Sequence, residues 1–237
     1  AAIDAAKDGD VIHVAAGLYK ENILIKNKKL KLISVSGSKK TTIDGQSSGS
    51  VIRFEDIIDG AVVVEGFTIV NGTGSIPFDH GQISGGGVFM HNASPKITNC
   101  TFKYNKAQWG SIVYSYSSSS EFYHCKFYSE NLNQPNLFEI RGGEGAIIEN
   151  SLIFANGGVI QCYGANMTVG NCTIIFDRKT DFQTTGVRVS AGAKFYAKNT
   201  IIDSNDSKLF MPYQGDDVKG GPEGYFEFIH CFISNGI

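Results

Sequence analysis

A short pattern recurs along the chain, in which a polar bend residue is followed by a small residue and a brief alternation of apolar and polar positions. It is clearest in six segments, residues 97–102, 122–127, 148–153, 169–174, 197–202 and 228–233, with a weaker copy at 64–69. The Asn or His of the six segments stands at positions 99, 124, 150, 171, 199 and 230, giving steps of 25, 26, 21, 28 and 31 residues. The chain is therefore an array of repeats.

A second strand-like segment, flanked by Gly, Ser and Asn, lies between each pair of repeats. These segments are residues 87–91, 111–115, 137–141, 159–163, 186–190 and 208–212. The steps are too short for βαβ units, and the intervening residues have no helical period. Short strands with period-two alternation and no helices predict an all-β fold, a right-handed parallel β-helix of about eight coils.

Each position of the repeat predicts a column of equivalent residues along the solenoid. The Asn, His or Gly should occupy a sharp bend, because these residues tolerate left-handed backbone conformations. The next position should point inward and stack on its equivalents. It holds Phe67, Cys100, Cys125, Ser151, Cys172, Thr200 and Cys231. We therefore interpret these cysteines, together with Cys162, as small buried core residues.

The start of the chain predicts a cap for the open end of the core. Residues 1–7 favour a short helix, the Asp8-Gly9-Asp10 stretch a turn, and Val11–Val14 the first strand. A glycine-rich insertion is expected at 71–86, and another loop between strands within 204–224. Both ends look like boundaries of a fragment, so we expect one domain over residues 1–237, cut from a longer chain that continues with further repeats.

Composition narrows the classes of partner. The 21 basic and 23 acidic residues are interspersed, which argues against a nucleic-acid groove. The sequence lacks a run of roughly 18 apolar residues, the length that predicts a membrane span.

Several stretches resemble the pectate-lyase-like superfamily of right-handed parallel β-helices. Residues 2–14 and 17–23 look like its N-terminal cap and first coil, and Thr-Ile-Asp-Gly at 42–45 and Gly-Phe-Thr-Ile at 66–69 match its next phrases. Residues 85–88 and 94–102 are similar to bacterial secreted β-helix repeat proteins. The resemblance implies the fold but not one activity, because such folds carry lyases, hydrolases, esterases and adhesins. It also implies a polysaccharide or cell-surface glycan as partner and an extracellular or cell-surface location.

In such solenoids the first strand of each coil commonly lines the binding groove, so its outward residues are the candidates for ligand contact. With Met90, Tyr114, Ile140, Cys162 and Val189 taken as inward, the outward residues are Phe89, His91, Val113, Ser115, Glu139, Arg141, Gln161, Tyr163, Arg188 and Ser190. Trp109, Tyr116 and Phe78 could add stacking surfaces for sugar rings. The simpler alternative is an ordinary solvated strand face with one Glu139–Arg141 ion pair.

The sequence lacks the catalytic motifs that enzymes of this superfamily would be expected to show. Three of the four phrases of polygalacturonase-like hydrolases are absent, and the one Asp-Asp pair is Asp216-Asp217; Asp181-Phe182-Gln183 departs from the pectinesterase phrase. Glu139 alone cannot supply the acidic cluster of a calcium-dependent lyase. We expect no cofactor, although Ca²⁺ at Asp177, Asp181, Asp203, Asp206, Asp216 or Asp217 stays open.

Two functions remain. The first is a non-catalytic module for adhesion, carbohydrate binding or rigid spacing, with Arg141, Glu139, Gln161 and Trp109 binding the glycan. The second is a polysaccharide lyase acting on a uronic-acid polymer by β-elimination. In that case Arg188, Tyr163 or His91 would transfer the proton, while arginines neutralise the uronate carboxylate.

Overall fold

The computed structural model describes residues 2–57, 62–76, 81–129, 136–177, 186–204, 209–212 and 224–235. These residues form one helix, α1 (Ala2–Ala5), and 26 short strands. In chain order the strands are β1 (Val11–Val14), β2 (Gly17–Lys20), β3 (Ile23–Lys26), β4 (Lys31–Ser34), β5 (Thr41–Asp44), β6 (Ile52–Ile57), β7 (Val63–Glu65), β8 (Thr68–Val70), β9 (Val88–Ala93), β10 (Lys96–Thr98), β11 (Thr101–Lys103), β12 (Val113–Tyr116), β13 (Ser119–Tyr123), β14 (Lys126–Ser129), β15 (Asn136–Arg141), β16 (Gly145–Glu149), β17 (Leu152–Ala155), β18 (Val159–Tyr163), β19 (Met167–Gly170), β20 (Thr173–Phe176), β21 (Gly186–Ser190), β22 (Lys194–Lys198), β23 (Ile201–Ser204), β24 (Phe210–Pro212), β25 (Tyr225–Ile229) and β26 (Phe232–Asn235).

The strands form three parallel sheets that run the length of the molecule. The first sheet has the order β1-β4-β7-β10-β13-β16-β19-β22-β25, and the second has the order β2-β5-β8-β11-β14-β17-β20-β23-β26. The third sheet contains β3-β6-β9-β12-β15-β18-β21-β24. Every third strand is therefore a neighbour, so each coil gives one strand to each sheet. This arrangement confirms the predicted solenoid.

The predicted bend column joins the first sheet to the second. Its residues all have positive φ: Asn99 (54°), His124 (54°), Asn150 (51°), Asn171 (51°), Asn199 (49°) and His230 (51°). The backbone N–H groups of the first five donate to the following coil, for example from His124 to Glu149 O at 3.1 Å and from Asn150 to Gly170 O at 3.0 Å. The bend therefore keeps the inter-coil hydrogen bonding that a free turn would lose.

Inward-facing side chains form a continuous core between the three sheets. The thiols of Cys100, Cys125, Cys162 and Cys172 are buried and unoxidised, as predicted, and Cys231 is half-buried in the last described coil. Phe102 and Phe127, on consecutive coils, stack with ring centroids 5.0 Å apart. Burial raises the pKa of the Cys100 thiol to about 12, and it also raises the pKa of the Cys125, Cys162 and Cys172 thiols, so these four side chains are neutral core thiols.

The N-terminal cap is shorter than predicted. Helix α1 ends at Ala5, because the Asp8-Gly9-Asp10 turn follows, with Gly9 at φ 88°. Lys28 Nζ tethers the helix by donating to the carbonyls of Ile3 and Asp4, both at 2.7 Å. Among the described residues, no helix is long and apolar enough to cross a membrane.

Candidate functional site

The register of the third sheet defines two outward-facing columns of side chains. Outer column 1 holds Leu24, Arg53, Phe89, Tyr114, Glu139, Gln161 and Arg188. Outer column 2 holds Lys26, Glu55, His91, Tyr116, Arg141, Tyr163 and Ser190. Neighbours within a column lie about 4.8 Å apart along the solenoid axis, the spacing of paired strands.

The assignment of β12 from sequence alone was wrong. The sequence pattern predicts an inward Tyr114, but this residue pairs with Phe89 and Glu139 on the outer face, whereas Val113 and Ser115 point into the core. Tyr114 is nevertheless fully buried, and its ring stacks on that of Phe89 with centroids 5.4 Å apart. A covered outer face can therefore hold an aromatic residue while a serine enters the core.

Arg141 is the centre of the best-defined polar cluster on this face. Its guanidinium carbon lies 4.3 Å from the centroid of the Trp109 ring and 5.0 Å from that of Tyr163. Its Nε donates to Glu139 Oε1 at 2.8 Å. Trp109 reaches it from the loop between β11 and β12, and Tyr163 from the adjacent strand β18. We call Trp109, Glu139, Arg141 and Tyr163 the arginine–aromatic cluster.

Glu139 is the buried carboxylate of the cluster, with a relative exposure of 1%. Asn136 Nδ2 donates to its second oxygen, so both oxygens accept hydrogen bonds. Burial raises the pKa of Glu139, while the charges of Arg141 and Arg188 and the bond from Asn136 oppose that rise. The carboxylate therefore fixes the orientation of Arg141, and its proton affinity is higher than that of an exposed Glu.

The remaining predicted residues lie at increasing distances from Arg141. Gln161 is next to Glu139 in outer column 1, and its amide donates to Ser190 Oγ at 3.3 Å. Arg188 follows Gln161, two coils from Glu139. The side chains of Gln161, Ser190 and Arg188 therefore border the arginine–aromatic cluster on the same face of the sheet.

His91 lies apart from this group. It is two coils from Arg141, stacked on Tyr116 with ring centroids 5.7 Å apart, and four coils from Arg188. At the strand spacing, four coils amount to roughly 19 Å. The structure therefore does not bring His91 and Arg188 within reach of one sugar ring.

Two partners of the cluster were missed from the sequence. Asn136 is not predicted, because β15 begins one residue earlier than the sequence indicates. Tyr116 is predicted only as a possible stacking surface for a sugar ring, and the sequence pattern does not assign it to an outer column. Correct alternation through β12 would have placed Tyr116 next to Arg141 in outer column 2.

No group of three or more His, Cys, Asp or Glu side chains suited to a metal ion occurs within the described ranges. Of the suggested calcium ligands, Asp177 and Asp203 lie within those ranges. Asp181, Asp206, Asp216 and Asp217 lie outside them, as does the stacking candidate Phe78.

Comparison with known proteins agrees with this architecture. A protein-family model described as the right-handed β-helix region matches residues 86–209 of this chain. A pectin methylesterase solved in complex with hexasaccharide VII has a TM-score of 0.63 and 14% identity, covering 98% of this chain and 83% of that chain. The pectin methylesterase of Aspergillus niger gives 0.60 at 16% identity (98% and 80% covered), and that of Yersinia enterocolitica 0.59 at 12% (100% and 89% covered). At such identities these similarities show the fold alone.

None of the curated proteins matches the chain. The family match covers more than half of the sequence and includes strands β9 to β23. Together with the three parallel sheets, it establishes the architecture predicted from the repeat. The chain belongs to the right-handed β-helix family, with the fold of the pectate-lyase-like superfamily.

Proposed function

We propose that this chain is a non-catalytic extracellular or cell-surface module that binds an acidic polysaccharide along the outer face of its third sheet. The observation that carries the proposal is the Arg141 guanidinium, held between Trp109 and Tyr163 and oriented by a buried carboxylate. Such a group is rigid before a ligand arrives, which lowers the entropy cost of binding.

The guanidinium has donors left for a ligand. Its Nε is engaged by Glu139, and in the described part of the chain neither Nη atom has a protein acceptor. The Arg141 side chain is 24% exposed, so solvent reaches it. A planar carboxylate, as in a uronic acid, matches the paired N–H groups of a guanidinium better than it matches an ammonium group.

The surrounding residues suit a sugar chain. Tyr163 and Tyr116 present half-buried rings on either side of Arg141 in outer column 2, and Gln161 adds an amide in outer column 1. Because pectin methylesterases share the fold, one of them in complex with a hexasaccharide, pectic polymers are the first ligands to test.

Binding can be followed through Trp109, the only tryptophan of the chain. We expect oligogalacturonate to change its fluorescence, and a neutral galactan to leave it unchanged. Arg141→Lys keeps the charge beside Glu139 but loses the planar fork, so affinity should fall about tenfold, on the scale of one lost charge-assisted hydrogen bond.

The matched control is Lys96→Gln, which removes an exposed cation 4.4 Å above the Tyr123 ring on the first sheet. It should leave binding unchanged. An equal loss in Lys96→Gln and Arg141→Lys, or no binding by the parent chain, would contradict the proposal.

A lyase acting on a uronic-acid polymer is the second candidate, favoured by the contact between a proton-bearing Tyr163 ring and the Arg141 cation on adjacent coils. It predicts unsaturated products that absorb at about 235 nm when alginate, pectate or glycosaminoglycans are added. Tyr163→Phe should abolish that absorbance while oligogalacturonate still binds. If no substrate gives absorbance, the lyase candidate is excluded and the binding proposal stands.

A further inference from the structure

A second polar cleft lies on the outer face of the second sheet, away from the arginine–aromatic cluster. It has a volume of about 540 Å³, and we call it the lysine cleft. Three threonines (Thr42, Thr68 and Thr101), three lysines and Tyr104 are among the residues that line it. It spans strands β5, β8, β11 and β14, four consecutive coils of the solenoid.

The floor of the cleft is a ladder of hydroxyl groups. Thr42, Thr68 and Thr101 are aligned on consecutive coils, and Lys126 continues the same column. The Thr68 hydroxyl donates a hydrogen bond to Ser38 O at 2.6 Å. Thr42 and Thr101 are half-buried, so solvent reaches part of each side chain. The repeat spacing gives the ladder a period of about 4.8 Å along the axis.

The charge of the cleft is positive. Lys39, Lys103 and Lys126 line it, and no carboxylate does so among the described lining residues. None of these three ammonium groups forms an ion pair with a residue in the described ranges. The nearby Asp44 accepts hydrogen bonds from Asn71 Nδ2 at 3.0 Å and from the Gln46 backbone at 2.9 Å. The field in the cleft therefore favours an anion.

Tyr104 stands at the edge of the cleft in an uncommon conformation. Its φ is 59°, and half of the residue (50%) is exposed. Positive φ is unusual for a bulky aromatic residue, because its Cβ comes too close to the following carbonyl oxygen. Tyr104 also borders an adjoining hollow of about 420 Å³ that contains Lys106, and Lys103 Nζ lies 5.4 Å from its ring. Backbone strain that presents an exposed ring to solvent is typical of ligand sites.

We propose that the lysine cleft binds a sulfated polysaccharide, at a site separate from the arginine–aromatic cluster. Ammonium groups act as point charges without the planar fork of an arginine, so they suit the tetrahedral oxygens of a sulfate ester. The threonine hydroxyls can bond to sugar hydroxyls along the ladder, and the Tyr104 ring offers a stacking face for a sugar.

The test measures the fluorescence anisotropy of labelled heparin decasaccharide with the whole chain. Lys103→Gln with Lys126→Gln should weaken binding about tenfold at low salt, on the scale of two exposed charge contacts. The control pair is Lys96→Gln with Lys194→Gln. It removes the same charge from two lysines on the first sheet, each of which lies over a tyrosine ring, at 4.4 and 4.6 Å, as Lys103 lies over Tyr104. The control should change binding less than twofold.

Tyr104→Gly separates the ligand contact from folding. Glycine adopts positive φ without strain, so this variant should unfold at the same or a higher urea concentration, yet bind heparin several-fold more weakly. Equal effects of the two lysine pairs would overturn the proposal. So would unchanged binding in Tyr104→Gly, or a single-stranded oligonucleotide that binds as tightly as heparin.

The two proposed sites fail independently. Arg141→Lys should leave heparin binding unchanged, and the Lys103→Gln, Lys126→Gln pair should leave the Trp109 response to oligogalacturonate unchanged. If the Arg141→Lys variant lost heparin affinity as well, the ligands would share one surface and the lysine cleft would not be a separate site.

Discussion

The stacking of Arg141 on Trp109 can be measured as a coupling energy. The two groups lie 4.3 Å apart, closer than Arg141 and Tyr163 at 5.0 Å, and the Arg141 side chain is 24% exposed. Cation–π contacts contribute about 0.5–1 kcal/mol when exposed and about 2 kcal/mol when desolvated. We therefore expect about 1 kcal/mol for this partly buried pair.

The perturbation is a double-mutant cycle of Trp109→Leu and Arg141→Met. Removing Arg141 leaves the buried Glu139 without its ion partner, which is costly in itself. That cost occurs with and without Trp109, so it cancels from the coupling term. A coupling of about 1 kcal/mol is equivalent to a shift of about 0.5 M in the urea midpoint at a slope near 2 kcal/mol/M.

Unfolding should be followed by circular dichroism, because Trp109→Leu removes the only tryptophan. A control cycle pairs Trp109→Leu with Arg53→Met. Arg53 lies on the same face and pairs with the buried Glu55, but it lies over Phe89 at 5.4 Å. This cycle should be additive. A coupling within about 0.3 kcal/mol of zero in the Arg141 cycle, or an equal coupling in the control, would refute the stacking argument.

Three further predictions concern the scaffold and its titrating groups. Asn150 has φ 51°, so Asn150→Ala should lower the free energy of unfolding by about 1 kcal/mol and Asn150→Gly should not, as measured by urea denaturation; equal losses would contradict the bend assignment. Burial raises the folded-state pKa of Glu139 above 4.5, so the folded chain binds that proton more tightly. The protonated Glu139 side chain therefore contributes fully to the free energy of unfolding below about pH 4.5, and this contribution is lost as the pH rises through the raised pKa. Urea midpoints measured between pH 4 and 8 should show this fall in the parent chain and not in Glu139→Gln. Burial raises the pKa of Cys100 to about 12 and that of Cys162 further, so a thiol reagent should label Cys231 first in the native chain and all five cysteines in urea; fast labelling of the buried thiols would contradict the core assignment.

The repeat could be read from the sequence because backbone geometry dictates it. Only Gly and a few polar residues adopt positive φ readily, so Asn99, His124 and Asn150 had to mark bends. The residue two positions after the inward cysteine had to be apolar, because it packs between sheets. These constraints act within one coil, so they are visible in a single sequence.

The candidate site was only partly predictable, because it depends on contacts between a loop and a strand. The pairing of Glu139 with Arg141 followed from alternation in β15, but nothing local placed Trp109 over the guanidinium. Tyr114 was misplaced for a related reason. Alternation alone favours the larger residue in the core, whereas Tyr114 is buried on the outer face, where its ring stacks on Phe89 of the neighbouring coil.

The constant rise of the solenoid has a consequence for how such a protein can change over evolution. Equivalent residues stay in one column. Gaining or losing a whole coil between two side chains of a column therefore changes their separation along the solenoid axis by about 4.8 Å, and both side chains still point outward. Losing the coil between His91 and Arg141 that carries Tyr116 would make these two side chains immediate neighbours in outer column 2. In most folds, inserting or deleting that many residues would disrupt a binding site. In a solenoid, such a change alters the distance between two charged groups in steps of one coil. The spacing of these groups can therefore come to match the repeat length of a polymeric ligand.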